Sequence, residues 1–339
     1  MGDALMDCVA QPGGSLKPLM GGSPFNLARA CAQRLTQRPG VAQVGYVNPF
    51  STDLFGGQLT DQLAKDGVTT LLPATRLPTS LAVVQLANGQ PSYGFYREGI
   101  ADRDYTVDQV CSLLESTRPG ILHVGSLALV PPEVDKVHDV VALAKKLGWT
   151  ISIDVNMRPK LAENLKQYID KVLQISKLAD WLKASDEDLQ VLNLRGVKQT
   201  GSLPQRSDAD SIAPYFLNQG TRHLALTFGA QGAWLQVDGH SAQAGVPQVE
   251  VVDTVGAGDT FWGNCLGDWA LDAAPDGALG GALGGAAAWP TQAAQANRLP
   301  ASSSAGQRVA QTLRQAMQAA AINCTRAGCQ PPAFAELAG

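Results

Sequence analysis

Positive charge, histidine and long apolar runs are all in short supply in this sequence. Lys and Arg together number 26 against 30 Asp and Glu, for a formal net charge of −4. A dedicated nucleic-acid or anionic-membrane binder normally carries a basic excess, so no nucleic-acid partner and no membrane partner is expected. The four histidines (His123, His138, His223 and His240) show no metal-ligand spacing. The six cysteines (Cys8, Cys31, Cys111, Cys265, Cys324 and Cys329) form no Cys-x-x-Cys pair, which argues against a zinc framework and reads as the reduced thiols of a cytoplasmic protein. No run approaches the ~18 apolar residues of a membrane span. No basic segment followed by an apolar core opens the chain, so no signal peptide is expected. A Gly-x-x-x-x-Gly-Lys-Ser/Thr loop is also missing, which excludes a P-loop nucleotide site.

What remains is a chain of 339 residues, 45% hydrophobic and 17% charged, with enough apolar material for a sizeable core. Short β-branched or apolar runs at 41–47, 121–127, 150–155, 179–184, 223–228 and 233–237 read as strands. Between them, helical patterns are expected near 24–36, 55–65, 107–116, 132–146, 161–176 and 208–218. That alternation predicts a single α/β domain over 1–339, with a doubly wound, mainly parallel sheet covered by helices on both faces. One stretch breaks the rhythm. Around Asn88-Gly89, residues such as Leu81, Val83, Phe95 and Tyr96 alternate with polar ones, the mark of a hairpin. A hairpin does not easily join a parallel sheet, so it is expected to project as a small β flap. Residues 273–288 are mostly Ala and Gly and read as a weak helix, followed by an exposed loop to 304. Helical pattern returns at 307–323.

The chemistry concentrates at Val251-Val252-Asp253-Thr254-Val255-Gly256-Ala257-Gly258-Asp259-Thr260-Phe261. Two β-branched residues lead into a Gly-Ala-Gly turn, after which Phe261, Trp262, Cys265, Leu266 and Trp269 recur at helical spacing. A helix therefore begins at about Ala257. Its first N–H groups lack intrahelical partners and present the positive end of the helix dipole. Gly256 and Gly258 leave room for an oxygen to approach, which makes the turn a candidate anion hole. Asp259 lies in the same turn. A base beside a phosphate clamp is the arrangement that phosphoryl transfer needs. On the residues alone, Asp259 reads equally well as an acid that caps a helix.

These residues resemble the C-terminal signature of the PfkB, or ribokinase-like, sugar kinase family, Asp-Thr-x-Gly-Ala-Gly-Asp-x-Phe. Further segments match the family in order and span nearly the whole chain. They are Gly2-Asp3-Ala4-Leu5-Met6-Asp7, Gly21-Gly22-Ser23-Pro24-Phe25-Asn26-Leu27-Ala28, Phe95-Tyr96-Arg97 with Ala101-Asp102, Asp154-Val155-Asn156-Met157-Arg158-Pro159, Thr227-Phe228-Gly229-Ala230-Gln231-Gly232-Ala233, and the closing turn from Asn323 to Pro332. The resemblance implies a ribokinase-like fold with a small β lid, formed by about 7–19 and 76–105, that closes over the sugar and pairs with a second copy in a homodimer. It implies an ATP-dependent carbohydrate kinase, most similar to fructokinases, that phosphorylates the 6-hydroxyl of D-fructose. A kinase for another sugar, such as 2-keto-3-deoxygluconate, and a non-catalytic kinase-fold binding protein are the alternatives.

The same resemblance implies roles for particular residues. Asp259 is the expected base; Gly256, Ala257 and Gly258 form the hole for the γ-phosphate; Arg158 faces the transferring phosphate. Asp7, Gly22, Asn26, Arg97 and Asn156 are expected to meet the sugar. Lys183, Thr227, Gly229 and Gly232 are expected to line the ATP phosphates and ribose, with Asn323 near the adenine. Asp186 or Glu187 is expected to hold Mg²⁺ through water. For some members the resemblance also implies K⁺ near Asp253, Val255 and the last turn, where Pro332 removes one donor hydroxyl. Plainer readings stand beside these: Asn26 as decoration of a helix begun at Ser23 and Pro24, Arg158 as a surface charge, Arg97 as a solvated flap charge. Ser185, Asp186, Glu187 and Asp188 fit a solvated helix N-terminus, and Gly229 and Gly232 fit a hairpin. His123, Trp262 and Trp269 read as core. Asp3 stands where the family usually has Glu. Gly2 directly follows Met1, so the strand that usually opens the family's sheet is expected to be missing, with Asp7 poorly anchored as a result.

Overall fold

A computed structural model describes residues 1–11, 13–87, 90–194, 202–273 and 304–338. The predicted weak helix and loop over 273–304 and the Asn88-Gly89 turn fall almost wholly outside them. Among the described residues the main sheet has six strands in the order β12-β11-β10-β9-β8-β7. They are β7 (Ile121–Gly125), β8 (Thr150–Asp154), β9 (Trp181–Ser185), β10 (His223–Thr227), β11 (Ala233–Val237) and β12 (His240–Ala244). The strands β7 to β10 run parallel, and β11 and β12 add as antiparallel neighbours.

These strands are buried on both faces, and their alternating side chains divide the core between the two sides of the sheet. Leu224, Leu226 and Trp234 turn to one face with Ile151, Ile153 and Leu182. There they meet α4 (Glu133–Lys146), α5 (Leu165–Ser176) and α7 (Ala209–Leu217), through residues such as Val137, Val141, Val172 and Phe216. Ala225, Ala233 and Leu235 turn to the other face, against α8 (Ala257–Ala273) and α9 (Ala305–Cys324). Trp262 and Trp269 lie in that second core, and the expected plain role of His123 holds as well. Its Nδ1 lies 2.9 Å from Ser152 Oγ, and burial pushes its pKa well down, which leaves the ring neutral.

A separate four-stranded sheet takes its strands from the segments predicted to form the flap. Its order is β2-β1-β5-β6, from β1 (Leu5–Ala10), β2 (Leu16–Gly21), β5 (Ser80–Ala87) and β6 (Gln90–Tyr96). The hairpin β5–β6 pairs Ala87 with Gln90, so two residues connect the strands, as the Asn-Gly signal predicts. It does not stand alone: β5 also runs parallel to β1. Asp7 thus lies on a strand with a neighbour on each side, and the expectation that it would be poorly anchored is corrected. The strand expected at 41–47 is also shorter and differently placed. It spans β3 (Val44–Tyr46) and pairs with β4 (Val68–Thr70) in a two-stranded sheet apart from β7. Residues 1 and 2 bridge this division: the Met1 amine donates to the His123 carbonyl of β7 (2.6 Å), and Tyr46 Oη of β3 donates to the Gly2 carbonyl (2.9 Å).

Helix α1 (Ser23–Leu35) packs directly on α8. The closeness of the two axes depends on Gly263 and Gly267, one helical turn apart. A methyl group on Gly263 would come within 2.6 Å of the Leu27 carbonyl oxygen and 2.8 Å of Ala30 Cβ; on Gly267 it would come within 2.7 Å of Arg34 Cβ. Substituting Gly263→Ala adds roughly 1 kcal/mol of helix propensity, but overpacking costs roughly 1–3 kcal/mol. The expected outcome is a net loss of stability, read as a lower urea midpoint with unchanged m-value. An unchanged or raised midpoint would show that the helices tolerate separation.

Candidate active site

Helix α8 begins where the sequence places it, and Asp259 sits in its first turn, 8% exposed. Two side chains from the start of α1 reach its carboxylate. Ser23 Oγ donates to Oδ1 at 2.7 Å, and Asn26 Nδ2 donates to Oδ2 at 3.0 Å. Burial raises the Asp259 pKa, while these two bonds and the charges of Lys183 and Arg158 oppose the rise. A carboxylate has about four lone-pair positions, so two occupied positions leave acceptor capacity. The partnership of Ser23 is not evident from the sequence, where Ser23 marks only a helix start.

The turn before Asp259 has the expected geometry in part. Gly256 has φ +74°, a left-handed conformation that favours glycine. The Ala257 amide donates to the Thr254 carbonyl at 3.2 Å, so it is used within the turn and corrects the expectation that it faces a phosphate. Among the described residues no protein acceptor takes the amides of Gly256, Gly258 or Asp259. Those three N–H groups stand at the positive end of a 17-residue helix.

Lys183 lies beneath this turn rather than in solvent. It is 4% exposed, and its Nζ donates to both oxygens of Asp154 at 2.9 Å. A methyl group on Gly258 would come within 3.3 Å of Nζ. The ammonium is therefore a fixed buried charge behind the amides, with its pKa held up by Asp154 and Asp188 against burial. Burial pushes Asp154 up to about 6 even with Lys183 beside it.

The loop after β8 carries Asn156 and Arg158. Asn156 is in the left-handed region, φ 36°. Arg158 Nη1 donates back to the Asn156 carbonyl (3.0 Å), Asn156 Oδ1 (2.6 Å) and the Met157 carbonyl (3.0 Å). Its charge still acts on Asp259, Asp7 and Asp3. A residue outside the expected site set holds this loop. Asp188 Oδ1 accepts the Met157 amide at 2.6 Å, while Oδ2 accepts the Ser185 amide and hydroxyl, each at 2.8 Å. The sequence reads Ser185–Asp188 as a helix N-terminus, and the structure closes it with a capping box; the bond to Met157 has no sequence signal.

On the sheet of β1, Asp7 packs over Gly21, and burial raises its pKa to about 6. Asp3 Oδ2 accepts the Ser23 amide and Oδ1 the Leu127 amide, both at 3.2 Å, so it ties the start of α1 to β7's following turn. Gly22 is the residue at the N-cap of α1. Arg97 follows β6, and its Nη2 donates to the Leu127 carbonyl at 3.3 Å. Thr227 ends β10, and Gly229 lies two residues on, after Phe228. Gly232 serves packing, since a side chain there would overlap the Ala244 carbonyl of β12. Asp186 is half-buried beside Gly229; its Oδ1 accepts the Glu187 amide at 3.0 Å, and Glu187 itself is exposed. Asn323 departs most from expectation. It is fully buried, with its side-chain amide bonded to Val255 and Gln330, so the group faces the protein interior and not a surface that an adenine could reach.

Where the resemblance implies potassium, the oxygens face N–H donors. The Val255 carbonyl accepts from Asn323 Nδ2 at 2.8 Å. The Asp253 carboxylate accepts the Val255 amide at 3.0 Å and the Gly328 amide at 2.9 Å.

Removing Lys183 would leave Asp154 buried without its partner. Lys183→Met is expected to cost roughly 3–5 kcal/mol at neutral pH. The Asp154 pKa, already raised, rises further in the variant, so the loss shrinks as pH falls and the acid takes up a proton. Chemical denaturation across pH measures this. A loss independent of pH would show that the pair is not what stabilises the turn.

The geometry can be set against known proteins. The chain is 30% identical over 256 residues to the fructokinase of Rhizobium leguminosarum bv. trifolii, covering 75% of this chain and 73% of that one. It is 31% identical over 273 residues to fructokinase-2 of Oryza sativa subsp. japonica, covering 78% and 74%. The crystal structure of fructokinase with bound ATP from Xylella fastidiosa superposes with a TM-score of 0.75 at 26% identity, over 99% of this chain and 95% of that one. The model of the pfkB family of carbohydrate kinases matches residues 2–335, and the chain belongs to that family.

Proposed function

We propose that this sugar kinase is a fructokinase that transfers the γ-phosphate of ATP to the 6-hydroxyl of D-fructose. The observation that carries the reading is the Asp259 carboxylate, buried between Ser23 and Asn26, next to three backbone amides that have no protein acceptor among the described residues. The names of the relatives, fructokinase, support D-fructose as the sugar.

Asp259 accepts the proton of the attacking hydroxyl through a lone pair that Ser23 and Asn26 leave open. The N–H groups of Gly256, Gly258 and Asp259 receive phosphoryl oxygens, where charge builds as transfer proceeds. Lys183 and Arg158 add positive charge behind and beside them. Among the described residues Asn26 Oδ1 is buried without a partner and the Asp7 carboxylate has no hydrogen-bond donor; both suit sugar hydroxyls. The four-stranded sheet covers the sugar as a lid and keeps water from competing for the phosphoryl group. Magnesium, when bound to ATP, screens the phosphate charges, and Asp186 fits as its water-bridged carboxylate.

A coupled ADP-release assay over a sugar panel tests the substrate. Turnover fastest with D-fructose, yielding fructose 6-phosphate, is expected; 2-keto-3-deoxygluconate as the preferred substrate would reassign the sugar, and no turnover with any sugar would remove catalysis. Asp259→Asn is expected to lower kcat by about 10²–10⁴-fold while leaving sugar binding by calorimetry intact. A variant with wild-type kcat would take the base role from Asp259.

The pH profile follows from the same burial. Activity needs Asp259 ionised, and its pKa is raised, so kcat/KM is expected to fall on the acid side from above the ordinary carboxylate range of about 3.9. A kcat/KM plateau persisting down to about pH 4 in folded enzyme would contradict a buried base.

A further inference from the structure

Both ends of the Asn323 side-chain amide bond to protein. Nδ2 donates to the Val255 carbonyl at 2.8 Å. Oδ1 accepts the Gln330 amide at 2.7 Å, which orients the group so that a donor, not an acceptor, faces Val255. A peptide unit is planar and trans, so its carbonyl and its N–H point in opposite directions. The Val255 carbonyl and the Gly256 N–H belong to one such unit. Holding the carbonyl toward the C-terminal turn directs the Gly256 N–H away from it, and no protein acceptor takes that N–H among the described residues. A hydrogen bond to the carbonyl also polarises the peptide and strengthens its N–H as a donor.

Other groups of the C-terminal turn fix where this loop sits. The Cys324 carbonyl accepts the amides of Val252 (2.8 Å) and Asp253 (3.2 Å), and the Cys329 thiol packs against Gly256 so closely that any side chain there would overlap it. Arg29 Nη1 holds the Cys329 carbonyl at 2.9 Å. Of these contacts, the one from Asn323 acts on the carbonyl of the peptide that presents the N–H.

We propose that Asn323 is a positioning residue for phosphoryl transfer: its amide sets the plane of the Val255–Gly256 peptide so that the Gly256 N–H meets the transferring group. The inference rests on the kinase mechanism proposed above. Charge grows on the phosphoryl oxygens only in the transition state, so a misdirected amide weakens that state more than either bound substrate.

Two variants separate the bonds. Asn323→Asp keeps an acceptor for the Gln330 N–H and loses the donor to Val255; Asn323→Ala loses both. Assayed at alkaline pH, where the new carboxyl is ionised, each is expected to lose roughly tenfold to a hundredfold in kcat. The KM values for sugar and ATP stay within about twofold. In calorimetry with sugar and magnesium, aluminium fluoride tightens ADP binding to the unaltered chain and fails to do so in both variants. Wild-type kcat and wild-type tightening in Asn323→Asp would overturn the proposal, as would a raised KM with kcat unchanged. Failure of the underlying mechanism looks different: the unaltered chain would then release no ADP with any sugar and show no response to aluminium fluoride.

Discussion

A carboxylate taken out of water at the start of a helix is the constraint around which the rest of this structure is arranged. Burying an ionised acid is costly unless its lone pairs find donors. Asp259 finds two, and both come from α1, more than 230 residues away in the chain (|i−j| 236 and 233). That requirement sets how near α1 must lie to α8, and Gly263 and Gly267 provide the closeness. It also explains why the N-terminus of α1 is itself tied down, with the Ser23 amide on Asp3. Local chemistry and helix packing are therefore one problem in this protein.

The same economy governs the charges around the turn. Acids outnumber bases near Asp259, and burial raises Asp3, Asp7, Asp154 and Asp259 together. Lys183 offsets Asp154 and Asp259, Arg158 acts on Asp3, Asp7 and Asp259, and Asp154 in turn keeps Lys183 charged. A pair of this kind contributes little net stability compared with apolar packing. Its value lies in placing a fixed positive charge behind amides that meet an anion, where low surrounding dielectric magnifies each charge.

Much of this was legible in the sequence, for identifiable reasons. Helix α3 (Val107–Ser116) has the predicted ends because Thr106 and Gln109 form a capping box, a signal confined to four residues. Strand β11 (Ala233–Val237) likewise follows from its own composition. The start of α8 follows from the Gly-Ala-Gly turn. The lid segment 7–19 was expected, but its separate strands β1 and β2 are not legible, because six-residue segments carrying Asp7 and Pro18 lack a clear alternating pattern; Pro18 is tolerated since β2 is an edge strand. The bond from Ser23 to Asp259, that from Asp188 to Met157 and that from Asn323 to Val255 join residues from 31 to 236 positions apart. No local pattern announces such pairings.

The misplaced expectation for Asn323 is informative for the same reason. The resemblance implies a place near the adenine for Asn323. Its full burial is affordable only because both halves of the amide are satisfied, one by a carbonyl and one by an amide. Replacing it by an apolar residue would strand the Gln330 N–H and free the Val255 carbonyl, so the position tolerates few alternatives. The backbone groups presented to a ligand are thus fixed from behind by side chains that never meet it. In this fold the C-terminal turn is as much a part of the site's construction as the helix that bears the acid.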